Sequence, residues 1–149
     1  LHHPNGTDYF VLLGYFLSMN QRFPKKEHLY GNKAIGNLLA NGNVILAYPF
    51  RVIYLMVDDE NEQIPIRVLV SASKKKFKKA VVRNRIKRLI RESYRQNKVV
   101  IVTFAENENI RLHIAFQYIA NELLEFNSFE KGMKLAFEKI ISQISENKE

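Results

Sequence analysis

Ala80-Val81-Val82-Arg83-Asn84-Arg85-Ile86-Lys87-Arg88-Leu89-Ile90-Arg91-Glu92-Ser93-Tyr94-Arg95-Gln96-Asn97-Lys98 is the stretch on which the fold turns. Set on a helix at about 100° per residue, Val82, Ile86, Leu89, Ile90 and Ser93 share one arc about 100° wide, which must be the buried stripe. Opposite lie Lys87, Lys98, Arg91, Asn84, Arg95 and Arg88, with Arg83 and Arg85 at the two borders. The expected helix is roughly 28 Å long, apolar on one side and almost purely cationic on the other. Such a face is unfavourable alone: Lys87–Arg91 and Arg91–Arg95 are like charges at i,i+4, repelling by a few tenths of a kcal/mol each. Phosphates offset this, because each one neutralised releases counterions and an Arg fork holds two of its oxygens. Asn84, among the cations, adds a donor and an acceptor able to read a base edge, a sugar hydroxyl or a metal-bound water.

Working outward, Lys74-Lys75-Lys76 and Lys78-Lys79 extend the patch into the preceding loop. Residues 67–98 hold 13 Lys or Arg against the single acid Glu92, whereas the remaining residues hold 10 basic and 14 acidic groups. The net charge of +8 therefore arises in this one stretch. A solvated helix face mixes both signs; this one does not. A basic amphipathic helix can also lie on a membrane or seat in a calmodulin-like partner, but this stripe has no Trp or Phe anchor and is needed for the core. With 149 residues, 46% of them hydrophobic, and only 6 Gly and 4 Pro, a packed domain is expected rather than a disordered chain. The absence of Cys excludes disulfides, zinc ribbons and thiol catalysis, and accords with a reducing cytosol.

Residues 1–25 are expected to form an irregular arm ahead of a domain spanning 26–149. Met19 is a candidate start with an upstream extension before it, or the arm is a genuine peripheral segment. Its apolar run, residues 9–17, is far short of the roughly 20 residues of a membrane span, and His2 and His3 have no further ligand in helical or hairpin register. Residues 26–40 place Leu29, Ile35, Leu38 and Leu39 at loose helical spacing, stopped by Gly42. Residues 44–57 read as a strand interrupted or entered at Pro49, and residues 66–73 as a second strand, joined antiparallel to the first through the acidic turn 58–62. That turn lacks the Gly and terminal Glu of a calcium loop. Residues 99–105 read as strand by propensity or helix by context. Residues 111–120 alternate Ile114, Phe116 and Tyr118 against His113, Ala115 and Gln117, as a strand does. The tail, residues 128–144, is an amphipathic helix with Phe129, Met133, Ala136, Phe137, Ile140 and Ile144 at core spacing and Ser128 as N-cap.

Ser71-Ala72-Ser73-Lys74-Lys75, a short loop, and Ala80 to Arg95 with Arg83-Asn84-Arg85, Lys87-Arg88 and Arg91-Glu92 at its centre closely resemble the signature of the bacterial ribonuclease P protein component. Weaker resemblance covers residues 26–145. The resemblance implies an α/β (α+β) two-layer sandwich, ribonuclease P protein-like and ribosomal S5 domain 2-like. Its order would be αβββαβα, with a mixed four-stranded sheet and a left-handed β-α-β crossover against the general preference. It also implies a non-catalytic protein subunit of an endoribonuclease that matures tRNA 5′ ends, the RNA subunit performing a metal-dependent hydrolysis. Catalytic-RNA contacts, or organisation of nearby magnesium, would then fall to Arg83, Asn84, Arg85, Lys87, Arg88 and Arg91, with Arg95, Lys74 and Lys75 on the same surface. The precursor tRNA's 5′ leader would lie in a cleft at Ile35, Leu39, Arg51 and Ile53. Magnesium would enter through the RNA subunit, with one protein per RNA, in the cytoplasm, and neither DNA nor membrane as partner.

The chain departs from the family at the cleft, whose positions are often aromatic. Aromatics stack on unpaired bases for about 1–3 kcal/mol each, which aliphatic Ile35 and Leu39 match less well. Phe50 and Tyr54 would point to the opposite strand face, leaving more of the contact to Arg51 and the backbone. The loop at Lys76-Phe77-Lys78-Lys79 has no Gly, and Phe77 reads as its packed anchor rather than an exposed stacking residue. The residues themselves agree on a poor protein catalyst: no carboxylate cluster or acid and base pair is legible, and His113 on a strand reads as a core or surface histidine. A structural RNA-binding protein, such as a ribosomal one, would need only the basic face. A DNA-binding regulator would need a helix-turn-helix pair, and no short helix precedes Ala80.

Overall fold

The computed structural model describes residues 22–148. The expected arm, as far as position 21, lies outside the described residues, as do His2, His3, Met19 and the run 9–17. In chain order come a single 3-10 turn, Lys25–Glu27, then α1 (Asn32–Asn41), β1 (Asn43–Ala47), β2 (Phe50–Met56), β3 (Ile66–Ala72), α2 (Ala80–Asn97), α3 (Val99–Asn107), β4 (Leu112–Tyr118) and α4 (Phe126–Glu146). The strands form one mixed sheet in the order β1-β2-β4-β3. β2 is antiparallel to both β1 and β4, and β3 is parallel to β4. The chain crosses from β3 to its parallel neighbour β4 through α2 and α3.

The interruption expected at Pro49 is present: residues 44–57 are two strands, because Pro49, without an N–H to continue a ladder, sits in the tight turn at the cis Tyr48-Pro49 bond. The expected pairing of β3 with β2 is corrected: β4 lies between them, and the residues 57–65 bridge across its end. That connection is held by β4 itself, since Val57 N–H donates to the Arg111 carbonyl at 2.9 Å, Leu112 N–H to Pro65 at 2.8 Å, and the Arg111 side chain to the Glu62 carbonyl at 3.0 Å. A strand with Leu112, Ile114, Phe116 and Tyr118 all buried on one face, and Ala115 buried on the other, takes the central slot.

The helices also shift. Residues 99–105, open between strand and helix by sequence, belong to α3, whose Ile101 and Val102 are buried together with Ala105 one turn on. α1 begins at Asn32 rather than Lys26, because the preceding residues are used at the sheet's outer edge, where His28 bridges Val68 and Leu29 N–H donates to the Val68 carbonyl at 2.9 Å. Ser128 is not a cap: α4 starts at Phe126, and its N-cap Glu125 makes no side-chain bond. Gly42 does end α1, though with an extended φ of −73°. Glycine is required there for space, since a Cβ would overlap the Ile53 side chain and the Leu38 carbonyl.

The sheet separates two cores. On one face, α2, α3 and α4 bury Phe50, Val52 and Tyr54 of β2, the apolar face of β4, and their own Ile86, Ile90, Tyr94, Phe129, Met133 and Phe137. On the other, α1 alone covers a small cluster of Leu29, Leu38, Ile53 and Ala115. The second face is therefore only partly roofed.

Candidate nucleic-acid interface

Helix α2 buries Ile86, Ile90, Ser93 and Tyr94, with Val82 and Leu89 partly covered. Asn84, Arg85, Arg88 and Arg91 are exposed, and Arg83, Lys87 and Arg95 half-exposed. Tyr94 escaped the stripe expected from periodicity; it fills the core in edge contact with Phe23 at 5.0 Å and Phe137 at 6.1 Å.

The lysine loop is held in place rather than loose. Phe77 is buried against Tyr118, ring centroids 5.9 Å apart. The Ser73 hydroxyl accepts from the Lys75 and Lys76 N–H groups at 3.2 and 3.3 Å. Arg83 donates to the carbonyls of Phe77 at 2.7 Å and Lys78 at 2.9 Å. Its guanidinium thus clasps the loop to the helix, leaving Lys74, Lys75, Lys78 and Lys79 exposed beside Asn84. No sequence signal marks this clasp.

Lys98 and Arg95 are also committed within the chain. Lys98, expected on the cationic face, is 1% exposed. Its Nζ donates to Glu27 Oε1 at 2.8 Å and to the Arg22 carbonyl at 2.6 Å, because the chain bends into α3 at this point and the N-terminal segment passes over it. Burial pushes its pKa down, opposed by the Glu27 bond. Arg95 is bound to Glu92 at 2.6 Å. Hydrogen bonds from Arg95 and Gln96 pull the Glu92 carboxyl down to about 2, and the same pairing raises Arg95. Among the described residues, Asn84, Arg85, Lys87, Arg88 and Arg91 make neither side-chain hydrogen bonds nor ion pairs, so their cationic donors face outward.

On the second sheet face, Leu39 of α1 is 48% exposed and Ile35 half-buried, beside the exposed Val44 and Leu46 of β1. Ile53 is only 3% exposed, packed with Leu38 and Ala115 as the floor. Arg51 donates to Gln117 Oε1 at 2.7 Å. Register carries that polar row on to Ser71, since Gln117 opposes Arg51 on one side and Ser71 on the other. Register thus sets Arg51 and Ile53 of β2 on the sheet face that α1 partly covers, with Ile35 of α1 packed against the Ile53 cluster and Leu39 exposed on the same helix. Gln117 and Ser71 were not singled out by sequence, although the alternation of β4 already placed Gln117 on this face.

Among the described residues no three His, Asp or Glu side chains converge as metal ligands. His113 is half-buried, both ring nitrogens without a hydrogen-bond partner, and burial lowers its pKa.

The family model for Ribonuclease P matches residues 23–140. The ribonuclease P protein component of Porphyromonas gingivalis (strain ATCC 33277) is 35% identical over 120 residues, covering 80% of this chain and 87% of that protein. The one from Chlorobium phaeobacteroides is 35% identical over 113 residues, covering 71% and 77%. A solved structure of a Staphylococcus aureus RNase P protein mutant with defective mRNA degradation activity superposes with a TM-score of 0.57 at 26% identity, covering 82% of this chain and 95% of that one. A cationic helix and loop beside a half-roofed sheet, matched across this length, place the chain in the ribonuclease P protein family, the protein component of an endoribonuclease of tRNA processing.

Proposed function

We propose that this chain grips the catalytic RNA through α2 and the lysine loop, and guides the 5′ leader of precursor tRNA along the groove between α1 and the sheet. The observation that supports this most is the outward set Asn84, Arg85, Lys87, Arg88 and Arg91, joined by Lys74 and Lys75 on a loop that Arg83 holds in register. A surface ordered before binding loses less entropy on binding, and its guanidinium forks suit phosphate oxygens. Arg95 joins it only weakly, its charge shared with Glu92. The leader groove lies on the opposite sheet face, where Arg51 meets the backbone and Leu39 and Leu46 meet bases. In this reading magnesium enters through the RNA subunit, and the working place is the cytoplasm.

The test mixes the purified chain with a bacterial-type catalytic RNA and precursor tRNA at low magnesium and scores mature 5′ ends. Stimulated cleavage is expected; none would overturn the proposal. Arg51→Ala should weaken binding of leader-bearing precursor to the holoenzyme several-fold and leave mature tRNA unaffected. Equal losses for both would remove the leader from this groove.

A further inference from the structure

An aromatic and cationic cavity lies at the outer edge of β3, next to the cavity under α1, with which it shares Tyr30. The segment before α1 runs along that edge, and its Phe23, His28 and Tyr30 form a short ladder. Ring centroids are 4.3 Å apart between Phe23 and His28, and 6.2 Å between His28 and Tyr30. The inner rung, Phe23, is braced edge-on by buried Tyr94. The outer rung, Tyr30, is 59% exposed. With Arg91 of α2 and residues 68–70 of β3, the ladder lines a cavity of about 180 Å³. Sites for drug-sized ligands begin near 300 Å³, so this one suits a single planar ring.

His28 adds directional chemistry. It is hydrogen-bonded to the Phe23 backbone, and only its Nε2 lacks a partner, so the bonded nitrogen is Nδ1. Burial, then the charges of Arg91 and Lys25, hold its pKa below the usual value. At neutral pH the ring is uncharged, and Nε2 is an acceptor with nothing to accept. A buried acceptor left in that state is costly, and an incoming N–H or O–H relieves it.

We propose that this cavity is a subsite for one unpaired nucleotide of a bound RNA, its base stacked on Tyr30, a base amino group or ribose hydroxyl donating to His28 Nε2, and its phosphate on Arg91. The subsite rests on the RNA-binding role proposed above. Arg91 belongs both to the cationic face and to the cavity, so a strand leaving that face reaches Tyr30 directly. Unpaired RNA bases are held in this way, splayed onto aromatic faces and guanidinium planes.

The full chain is assembled with bacterial-type ribonuclease P RNA and precursor tRNA, irradiated with ultraviolet light, and its cross-linked peptides identified by mass spectrometry. A nucleotide adduct on Tyr30 is expected, and repeating the experiment with each RNA alone shows which one supplies the base. Tyr30→Ala should weaken that RNA about 5- to 150-fold, as loss of one stacked base does, without changing the salt dependence, since no phosphate contact is removed. Tyr30→Phe, which keeps the stacking face, should bind as the unaltered chain does. Tyr30→Ala binding as tightly as the unaltered chain overturns the subsite alone. An unaltered chain that binds neither RNA overturns the RNA-binding role, and the subsite with it.

Discussion

Lys98, Glu27 and the Arg22 carbonyl tie the N-terminal segment to the junction of α2 and α3. A buried pair of this kind costs desolvation on both sides, so its effect shows when one partner is removed. Lys98→Met leaves Glu27 covered and unpaired, and should lower stability to urea by about 3–5 kcal/mol. Replacing both, Glu27→Leu with Lys98→Met, should recover most of that loss. A double variant no more stable than the single one would show that burial, not pairing, governs the site. The pairing was not legible in the sequence, because Lys98 follows the same periodicity as Arg91 and Arg95. What removes it from the cationic face is an acid 71 positions upstream. Arg83 is a similar case: helical spacing places it at the border of the cationic face, but only the fold brings the Phe77 and Lys78 carbonyls within its reach.

At the scale of elements, α4 shows how closely a helix is fitted to the sheet. Gly132 meets the β1–β2 turn, where a Cβ would stand 2.7 Å from Pro49 Cδ, 2.8 Å from the Tyr48 carbonyl and 3.1 Å from that of Ala47. Gly132→Ala gains helix propensity of about 1 kcal/mol, but backbone is among the atoms that must yield, so overpacking of about 1–3 kcal/mol opposes it. The variant should melt lower, by about 2–4 °C per net kcal/mol; a higher Tm would mean the turn yields freely. The helices α2 and α4 and the strand β4 were legible, because each has one long buried face with an unbroken period. The strand order was not. Chain neighbours β2 and β3 carry nothing that forbids pairing, and it is the two-sided burial of β4, far along the chain, that separates them. The groove was half legible for the same reason: alternation assigns Arg51 and Ile53 to one face, but not that α1 seals Ile53 under Leu38 and leaves Arg51 beside Gln117.

For the whole molecule, the distribution of charge matters more than its sum. Of the cations in residues 67–98, all but Arg67, held by Glu62, and Lys98, buried against Glu27, lie on α2 and the loop before it, so association with RNA should depend steeply on salt. How much each cation contributes follows from what it already touches. Arg85, Arg88 and Arg91 have no internal ion pair, and each phosphate one of them neutralises adds about 0.7–0.9 to the slope of log K against log salt. Arg88→Ala should therefore flatten that slope by about one contact. Arg95→Ala should flatten it less, since Glu92 already holds that guanidinium and its loss frees an acid. Arg51→Ala, on the opposite sheet face, should leave the slope for catalytic RNA unchanged. Measured for the catalytic RNA over a range of potassium concentrations, the order Arg88, Arg95, Arg51 is the expected one. Equal slopes for Arg88→Ala and Arg51→Ala would mean that the RNA senses net charge alone, and that the one-sided helix is not its site.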